Sequence, residues 1–581
     1  MVNQCVERQV IGMSETSMKM GAVHIRLPMS KFGLGALGLI ALAIGIRVAL
    51  LSQGWPHTNS DEGTFGMMAI NIAFHGDRPI FMYGQNYMGT TQAYLGAVMF
   101  RLFGISLFNL RLGLVLLFAL FLYAMYLLTS LLYTKGMALF TLLLLAFGSS
   151  YVIYRQIQSL GGWVETLFFG ALLYFLASWL ALTARQEATR ARRLLRLAAY
   201  FGWGALVGLC LWSTVVIAPF LLISGLLLLL FCWRDIRSWA PVAIIVGLLI
   251  GGLPLIIYNL HATPSTNSWA TLVDLFSTGG SAAHSKLYYL AHGTLGILLI
   301  SLPAIASKSN ICDTSQVLFL GGSGPGALQC TLVQGAWSLV WIALWVSSAF
   351  LALKVILSLP RRMPARSPEQ QEALVRSYAR LGLLIAAALS LFLFALSPSS
   401  TLYPFLSSRY ILFVWIATPT LIYPLWLGAS ATGQQAGKVA TYFHIHARHL
   451  ILLFIALLFF VGTVKTFQEI PSTQGNNAVQ QDFINHLARL GIVHIYSDYW
   501  TCERAMFQSG GKITCFTIDE YLNTGYERYP SNQIIVTSDP KSSYVLPQHT
   551  FFVKAMANRV AHTHKPYHIY TFDGYVVYQP V

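Results

Sequence analysis

Gly33–Leu51 reads GLGALGLIALAIGIRVALL, and soon after it Asn59–Gly63 reads NSDEG. The first stretch is apolar apart from Arg47 and, as a helix, is close to the ~20 residues that cross a hydrocarbon core. The second sets two carboxylates, Asp61 and Glu62, side by side just beyond that helix. Acids are scarce here: 21 of 581 residues are Asp or Glu, and 10% of the chain is charged. Two of them adjacent at a water–lipid boundary invite a chemical reading.

The pattern outside that stretch is the same. The chain is 56% hydrophobic with a mean hydropathy of +0.60, which excludes an ordinary soluble protein. Apolar spans fall at approximately 33–51, 107–133, 137–153, 163–183, 199–217, 218–233, 239–260, 335–358, 379–396, 409–429 and 449–467, about eleven crossings in all. The formal charge of +16 would suit nucleic acid, but its placement argues otherwise. Arg185, Arg190, Arg192, Arg193 and Arg196 form one cluster; Arg361, Arg362, Arg366, Arg376 and Arg380 form another. Both lie in or beside short loops between spans, as positive-inside loops do. The basic balance reports topology and contact with anionic lipid, with no nucleic-acid partner.

The apolar segment 287–306 breaks this scheme if it crosses, because the Arg361–Arg380 loop would then face outward. A re-entrant or interfacial helix there restores the parity. Residues 1–32 form a cytoplasmic N-terminal segment, and no A-x-A cleavage signal follows, so 33–51 reads as an uncleaved signal anchor. Residues 33–467 form the transmembrane domain, with a first outer loop at 52–106. Residues 154–162, 261–334 and 397–408 are also outside, followed by an extracytoplasmic domain, 468–581. Cys312 and Cys330 share one outside loop, and Cys502 and Cys515 share the tail, where disulfides can form. Unpaired core cysteines would be equally ordinary. Cys5 is cytoplasmic, and Cys210 and Cys232 lie in spans.

The tail reads as a small α/β domain. Ile492–Tyr496 and Gln533–Thr537 are expected to be short buried strands, Val479–Leu490 a helix, and Tyr567–Tyr578 a hairpin around Asp573-Gly574. In the first outer loop, Asn59 or Ser60 caps a helix beginning near Asp61. Phe65, Met68, Ala69 and Ile72 recur at helical spacing until His75-Gly76 ends the run, as in an amphipathic helix lying in the membrane interface. Gln92–Phe103 forms a second such stretch. Between them Tyr83-Gly84-Gln85-Asn86-Tyr87-Met88-Gly89 is rich in aromatics and amides, which suits a ligand with a greasy tail and a hydroxylated head. Two readings of Asp61 and Glu62 stand. As an acidic first turn they complement the helix dipole, worth ~0.3–1 kcal/mol. Alternatively, one carboxylate is a general base that deprotonates a hydroxyl while a lipid phosphate departs, a departure that needs positive charge nearby.

Arg47 near the outer end of the first span, Asp61-Glu62, the helix after them, then Phe103-Gly104 and Arg111 opening the next span together resemble the GT-C membrane glycosyltransferases. The most similar branches are the protein O-mannosyltransferases (glycosyltransferase family 39-like), the aminoarabinose transferases and the Rgt-type transferases. The resemblance is best over residues 33–185. It implies a polytopic GT-C fold, a polyprenyl-phosphate-linked sugar donor, and Asp61 as catalytic base with Glu62 its neighbour. The tail resembles the variable outside domains of such enzymes and carries no assigned chemistry.

Other residues fit this frame. Arg409, in Ser407-Ser408-Arg409-Tyr410, resembles an Arg-Tyr pair of the family and suits phosphate, because its planar fork donates two hydrogen bonds at once; a snorkelling Arg at a helix end is the alternative. Arg47 carries the same ambiguity. Arg155 and Glu165 flank the second outer loop, which in the resembling family faces the first. Glu165 is a candidate second acid, a ligand for Mg²⁺ or Mn²⁺ alongside Asp61, or a partner of Arg155, although no D-x-D or D-x-E run accompanies it. Lys286 and His284 are weaker phosphate candidates. His57 reads as a surface histidine, and His444, His446 and His449 as the polar face of a cytoplasmic loop. P-loop, dinucleotide and hydrolase-elbow motifs are absent, and Gly321–Gly326 reads as a flexible connector.

The expected function is therefore an inverting hexosyl- or pentosyltransferase of a plasma membrane, bacterial in character. It would pass sugar from polyprenyl phosphate to a hydroxyl on a glycan, lipid or protein at the outer face. A transporter or flippase of lipid-linked saccharides is the main rival; it predicts paired charges near mid-bilayer on broken helices, and related halves. A non-catalytic assembly protein is the third reading.

Overall fold

A computed structural model describes residues 30–184, 189–278, 285–360, 367–430 and 438–581. Residues 1–29 of the N-terminal segment, with Cys5, and Arg185, His284, Arg361, Arg362 and Arg366 lie outside the described residues, as do the side chains of Lys286, His444 and His446. The protein is a multi-pass helical membrane protein with a small C-terminal α/β domain. Among the described residues ten helices are long and apolar enough to cross a membrane, or up to twelve spans if each of two sharply bent helix pairs counts as one.

The helix ends sort by the contacts they make. The C-terminal domain packs on the helix Ser60–Ile70, immediately after the first span, so both lie on one face and the crossings number is odd. Arg111, at the start of the span Leu107–Leu132, ion-pairs with Glu62 on that face. The far end of that span, Leu132, accepts from Arg380 on the opposite face. The helix Pro368–Ala395, which carries Arg380, therefore ends on the C-terminal-domain face. Against that end lies Leu287–Ile305: its Gly293 and Gly296 pack on Ala395 and Ser400, and Ser301 donates to the Pro404 carbonyl at 2.7 Å. The carbonyl of Leu298 and the N–H of Cys312, which follows the helix, both bond to the turn Gln334–Ser338. Leu287–Ile305 thus packs on the helix ends and connections around Ala395–Pro404 and on the helix Gly324–Ser358.

Two spans are broken. Lys135–Ala146 and Ser150–Ile157 meet at 92°, and Ala240–Gly251 and Leu253–His261 at 62°. Such breaks survive in a bilayer only when the freed backbone groups find partners. At the first, Arg47 donates to the carbonyls of Leu145 and Ala146 and to Gln156 Oε1, with its guanidinium 4.5 Å from the centre of the Phe118 ring. Thr463 accepts from the Gly148 N–H at 3.0 Å. Next to the second, Gly204, Gly208, Gly247 and Gly251 let the helices Arg190–Ser213 and Ala240–Gly251 touch backbone to backbone, since a Cβ at any of them would meet the other helix's main chain.

The last span runs without a linker into the C-terminal domain, as one apolar-to-polar helical stretch over Ala447–Arg489. The domain holds five strands, β1 (His494–Ser497), β2 (Thr514–Thr517), β3 (Ser543–Pro547), β4 (Tyr567–Phe572) and β5 (Tyr575–Pro580), in the order β2-β1-β3-β5-β4. β1 pairs in parallel with β2 and β3, while β3–β5 and β4–β5 are antiparallel. Asp573 and Gly574, both at positive φ, make the hairpin turn between β4 and β5. Gln533–Thr537, expected to be a strand, belongs instead to the helix Pro530–Ser538. Pro530 starts it, and the parallel passage from β2 to β3 needs a crossover element. The helix buries Asn532 and Val536, one turn apart, and leaves Ile534 72% exposed, so the apolar run was misleading. Disulfides join Cys312 to Cys330 and Cys502 to Cys515, while Cys210 and Cys232 are free and buried.

The helix Ser60–Ile70 does not lie open in the interface. Phe65, Met68 and Ala69 are fully buried, but so are Gly63, Thr64 and Gly66 on its other side. It is clamped between Thr91–Phe103 and the helix Tyr499–Gln508 of the C-terminal domain. Gly63 and Gly66 make the clamp: a Cβ at Gly63 would run into the Glu503 carbonyl, and one at Gly66 into the Phe507 ring. Gly66→Leu should force the domain off this helix at a cost of ~1–3 kcal/mol. Accelerated proteolysis between 470 and 581 would report it, with Gly45→Ala, which meets nothing within 4 Å, as the control.

Candidate active site

The two adjacent carboxylates have opposite surroundings. Asn59 Oδ1 accepts from the Glu62 N–H at 3.0 Å and starts the helix. Glu62 is fully buried. Its oxygens accept from Arg111 Nε and Nη2 at 2.8 and 2.6 Å, from Gln158 Nε2 at 3.0 Å, and from the Ser159 N–H at 3.3 Å. Arg111 also donates to the Pro56 carbonyl at 2.7 Å. Glu62 is thus the knot that ties the first outer loop to the next span and to the segment after the broken span.

Asp61, whose side chain is 23% exposed, faces a different set. Its Oδ1 accepts from Tyr499 OH at 2.8 Å and from Arg528 Nη2 at 3.2 Å, both from the C-terminal domain. Arg528 is held in turn: Nε donates to Tyr499 OH at 2.8 Å and Nη1 to the Tyr83 carbonyl at 2.8 Å. Burial, then the Asp61 charge, pushes the Tyr499 phenol well up, so it stays protonated as a donor. Arg409 interacts with the same carboxylate from the membrane side, and its buried Nε has no hydrogen-bond partner among the described residues. Tyr87, from the aromatic loop, lies close enough to Arg409, Tyr410, Tyr526 and Arg528 to feel all four, and burial pushes its phenol up to about 12. The outcome is a part-exposed carboxylate bonded to Arg528 of the C-terminal domain, with Arg409 of the membrane domain near enough for its charge to be felt.

The remaining sequence candidates sit elsewhere. Arg47 is fully buried and saturated at the helix break. Arg155 lies 5.0 Å from the ring centres of both Tyr151 and Tyr154 and donates to the Leu406 carbonyl; its Nε is buried without a partner. Glu165 is fully buried and accepts from Gln92 at 2.8 Å, with no bond to Arg155 or Asp61 among those described. His57 is exposed, as a surface histidine, with its pKa lowered by partial desolvation and by Arg504 and Arg111. A divalent metal does not fit this donor set. No three His, Cys, Asp or Glu converge among the described residues, and Glu62 is taken up by Arg111. Arg528 and Tyr499 escaped the sequence reading because no motif marks them; Arg528 lies 467 residues from Asp61.

A third buried acid controls the clamp. Glu503 Oε2 accepts from Thr64 Oγ1 at 3.1 Å, while Oε1 is buried without a partner. Burial, opposed by Arg528, pushes its pKa from 4.5 to about 8. In the undocked domain the carboxyl would titrate normally. Its contribution to docking is therefore complete below pH 4.5 and lost as the pH rises through about 8. Protease protection of the domain should fall across that window, and Glu503→Gln should flatten the profile.

The described residues thus combine ten to twelve candidate spans, an acid-bearing helix after the first of them and an α/β domain at the C-terminus. The fold is shared with the crystal structures of ArnT from Cupriavidus metallidurans. The undecaprenyl-phosphate complex aligns at TM-score 0.54 and 13% identity, covering 95% of this chain and 99% of that one. The apo form aligns at 0.51 and 14%, covering 94% and 97%. The Archaeoglobus fulgidus oligosaccharyltransferase, in its apo form, gives 0.49 at 13%, covering 94% of this chain and 74% of that one. In sequence, no family model and no curated protein matches.

Proposed function

We propose that this protein transfers a sugar from a polyprenyl-phosphate donor to a hydroxyl acceptor on the face that bears the C-terminal domain. The observation that carries the reading is Asp61, part-exposed just after the first span, bonded to Arg528 and within reach of the charge of Arg409. The greasy chain of the donor lies in the bilayer and its phosphate at the boundary, where guanidinium groups suit it. The acceptor hydroxyl oxygen attacks the anomeric carbon and gives its proton to Asp61. The bond from that carbon to the phosphate oxygen breaks with both electrons going to oxygen, so polyprenyl phosphate leaves and the configuration inverts. Likeness of fold to ArnT, whose structure contains undecaprenyl phosphate, supports the choice of donor. Arg190, Arg193 and Arg380 lie on the opposite face. By the positive-inside rule that face is cytoplasmic and the C-terminal domain is outside, in a bacterial plasma membrane.

The test is sugar transfer by protein in nanodiscs offered a panel of radiolabelled hexosyl and pentosyl polyprenyl phosphates. Release of polyprenyl phosphate with labelled acceptor is the expected result. Passage of intact donor across vesicles without release would favour a flippase, and inertness in both assays an assembly role.

A further inference from the structure

We infer that Arg528 of the C-terminal domain is a phosphate-contacting residue of this site, supplying the positive charge for which a divalent cation would otherwise be needed. The inference rests on the transferase reading above. Arg528 is 4% exposed, and two of its three nitrogens are fixed at 2.8 Å, by Tyr499 OH and the Tyr83 carbonyl. The third, Nη2, reaches Asp61 at 3.2 Å, the longest of the three contacts and so the one most readily shared with an incoming oxygen. The guanidinium is therefore aimed and pre-organised before any substrate arrives. The charge of Arg409, in the membrane domain, is also felt at that carboxylate, and its buried Nε has no hydrogen-bond partner among the described residues. Charge on the phosphate grows as its bond to sugar breaks, and two positioned guanidinium groups can meet it without reorganising.

The acids give no alternative. A hard cation needs several oxygen ligands, but no three His, Cys, Asp or Glu converge among the described residues: Glu62 is held by Arg111, and Glu165 and Glu503 each present one oxygen to Gln92 and Thr64. Glu527, next to Arg528, accepts from the Thr517 and Tyr529 N–H groups, and Asp61 Oδ1 already accepts two hydrogen bonds. The domain to which the sequence assigns no chemistry is thereby one wall of the site.

The experiment compares wild type, Arg528→Ala and Arg528→Lys in nanodiscs, with EDTA or with Mg²⁺ or Mn²⁺. Initial rates, donor KM and binding of undecaprenyl phosphate are measured, and docking is checked by proteolysis. The expected results are unchanged wild-type rates in EDTA, a ~10²–10³-fold loss in Arg528→Ala, and partial rescue of that variant by added guanidinium ion. Unchanged activity in docked Arg528→Ala overturns the proposal, as does wild-type activity that EDTA abolishes and Mg²⁺ or Mn²⁺ restores. If Arg528→Ala undocks the domain, Arg528→Lys decides. A docked lysine variant that loses rate supports the role, because it keeps the charge and loses the fork; a docked, fully active one refutes it. Should wild type prove inert with every donor, the transferase reading fails. Undecaprenyl phosphate affinity then tests Arg528 alone: weaker binding by the variants upholds the contact, and equal binding removes it.

Discussion

Arg111→Ala will destabilise the protein by ~3–5 kcal/mol, the usual result of stranding one member of a buried ion pair. Glu62 and Arg111 are 0% and 1% exposed, and the pair closes two hydrogen bonds within one planar fork. Removing Arg111 leaves an anion with only Gln158 and the Ser159 N–H, and it leaves the Pro56 carbonyl without its donor. Glu62→Gln should be damaging in the same direction, since it leaves a buried cation against a neutral amide. Thermal unfolding in detergent measures both. The decisive comparison is the double replacement by Met at both positions, which buries no charge and should recover much of the loss. If each single variant is as stable as wild type, the pair is not the knot that its geometry describes.

Asp61→Asn will behave in the opposite way, keeping the fold and losing ~10²–10⁴-fold in transfer rate, the range that a positioned general base supplies. The asparagine side chain keeps a carbonyl oxygen to accept from Tyr499 and Arg528, so docking survives. What it lacks is a group basic enough to take the acceptor's proton. The readout is release of polyprenyl phosphate, with proteolysis confirming the docked domain. Full activity in Asp61→Asn would reduce the acidic pair to a helix start and return the flippase and assembly readings to the front.

Neighbours in sequence thus have separate fates because a helix turns about 100° per residue. Asp61 emerges toward the C-terminal domain, and Glu62 turns inward to the span that begins near Arg111. Nothing in Asn59–Gly63 distinguishes them. The same limit separates the arginines: Arg47 and Arg409 read alike as basic residues near a span's outer end. The break at Gly148 gives Arg47 two main-chain carbonyls to satisfy, whereas Arg409 keeps a donor in reserve.

Local and periodic features were legible from the chain alone. Hydrocarbon thickness sets the length of the spans, so their places could be read as runs of apolar residues. The Asp573-Gly574 turn could be read because few residues tolerate positive φ at both centres. Asn59 before an acidic turn marks a helix start for a reason equally local. Tertiary structure decided what depended on partners remote in sequence: which carboxylate is open, which arginine is spent on a backbone break, why Gln533–Thr537 coils instead of extending, and that Arg528 stands beside Asp61. Hydrogen bonds and buried charges are satisfied in space, and one sequence does not say which distant group will arrive to satisfy them.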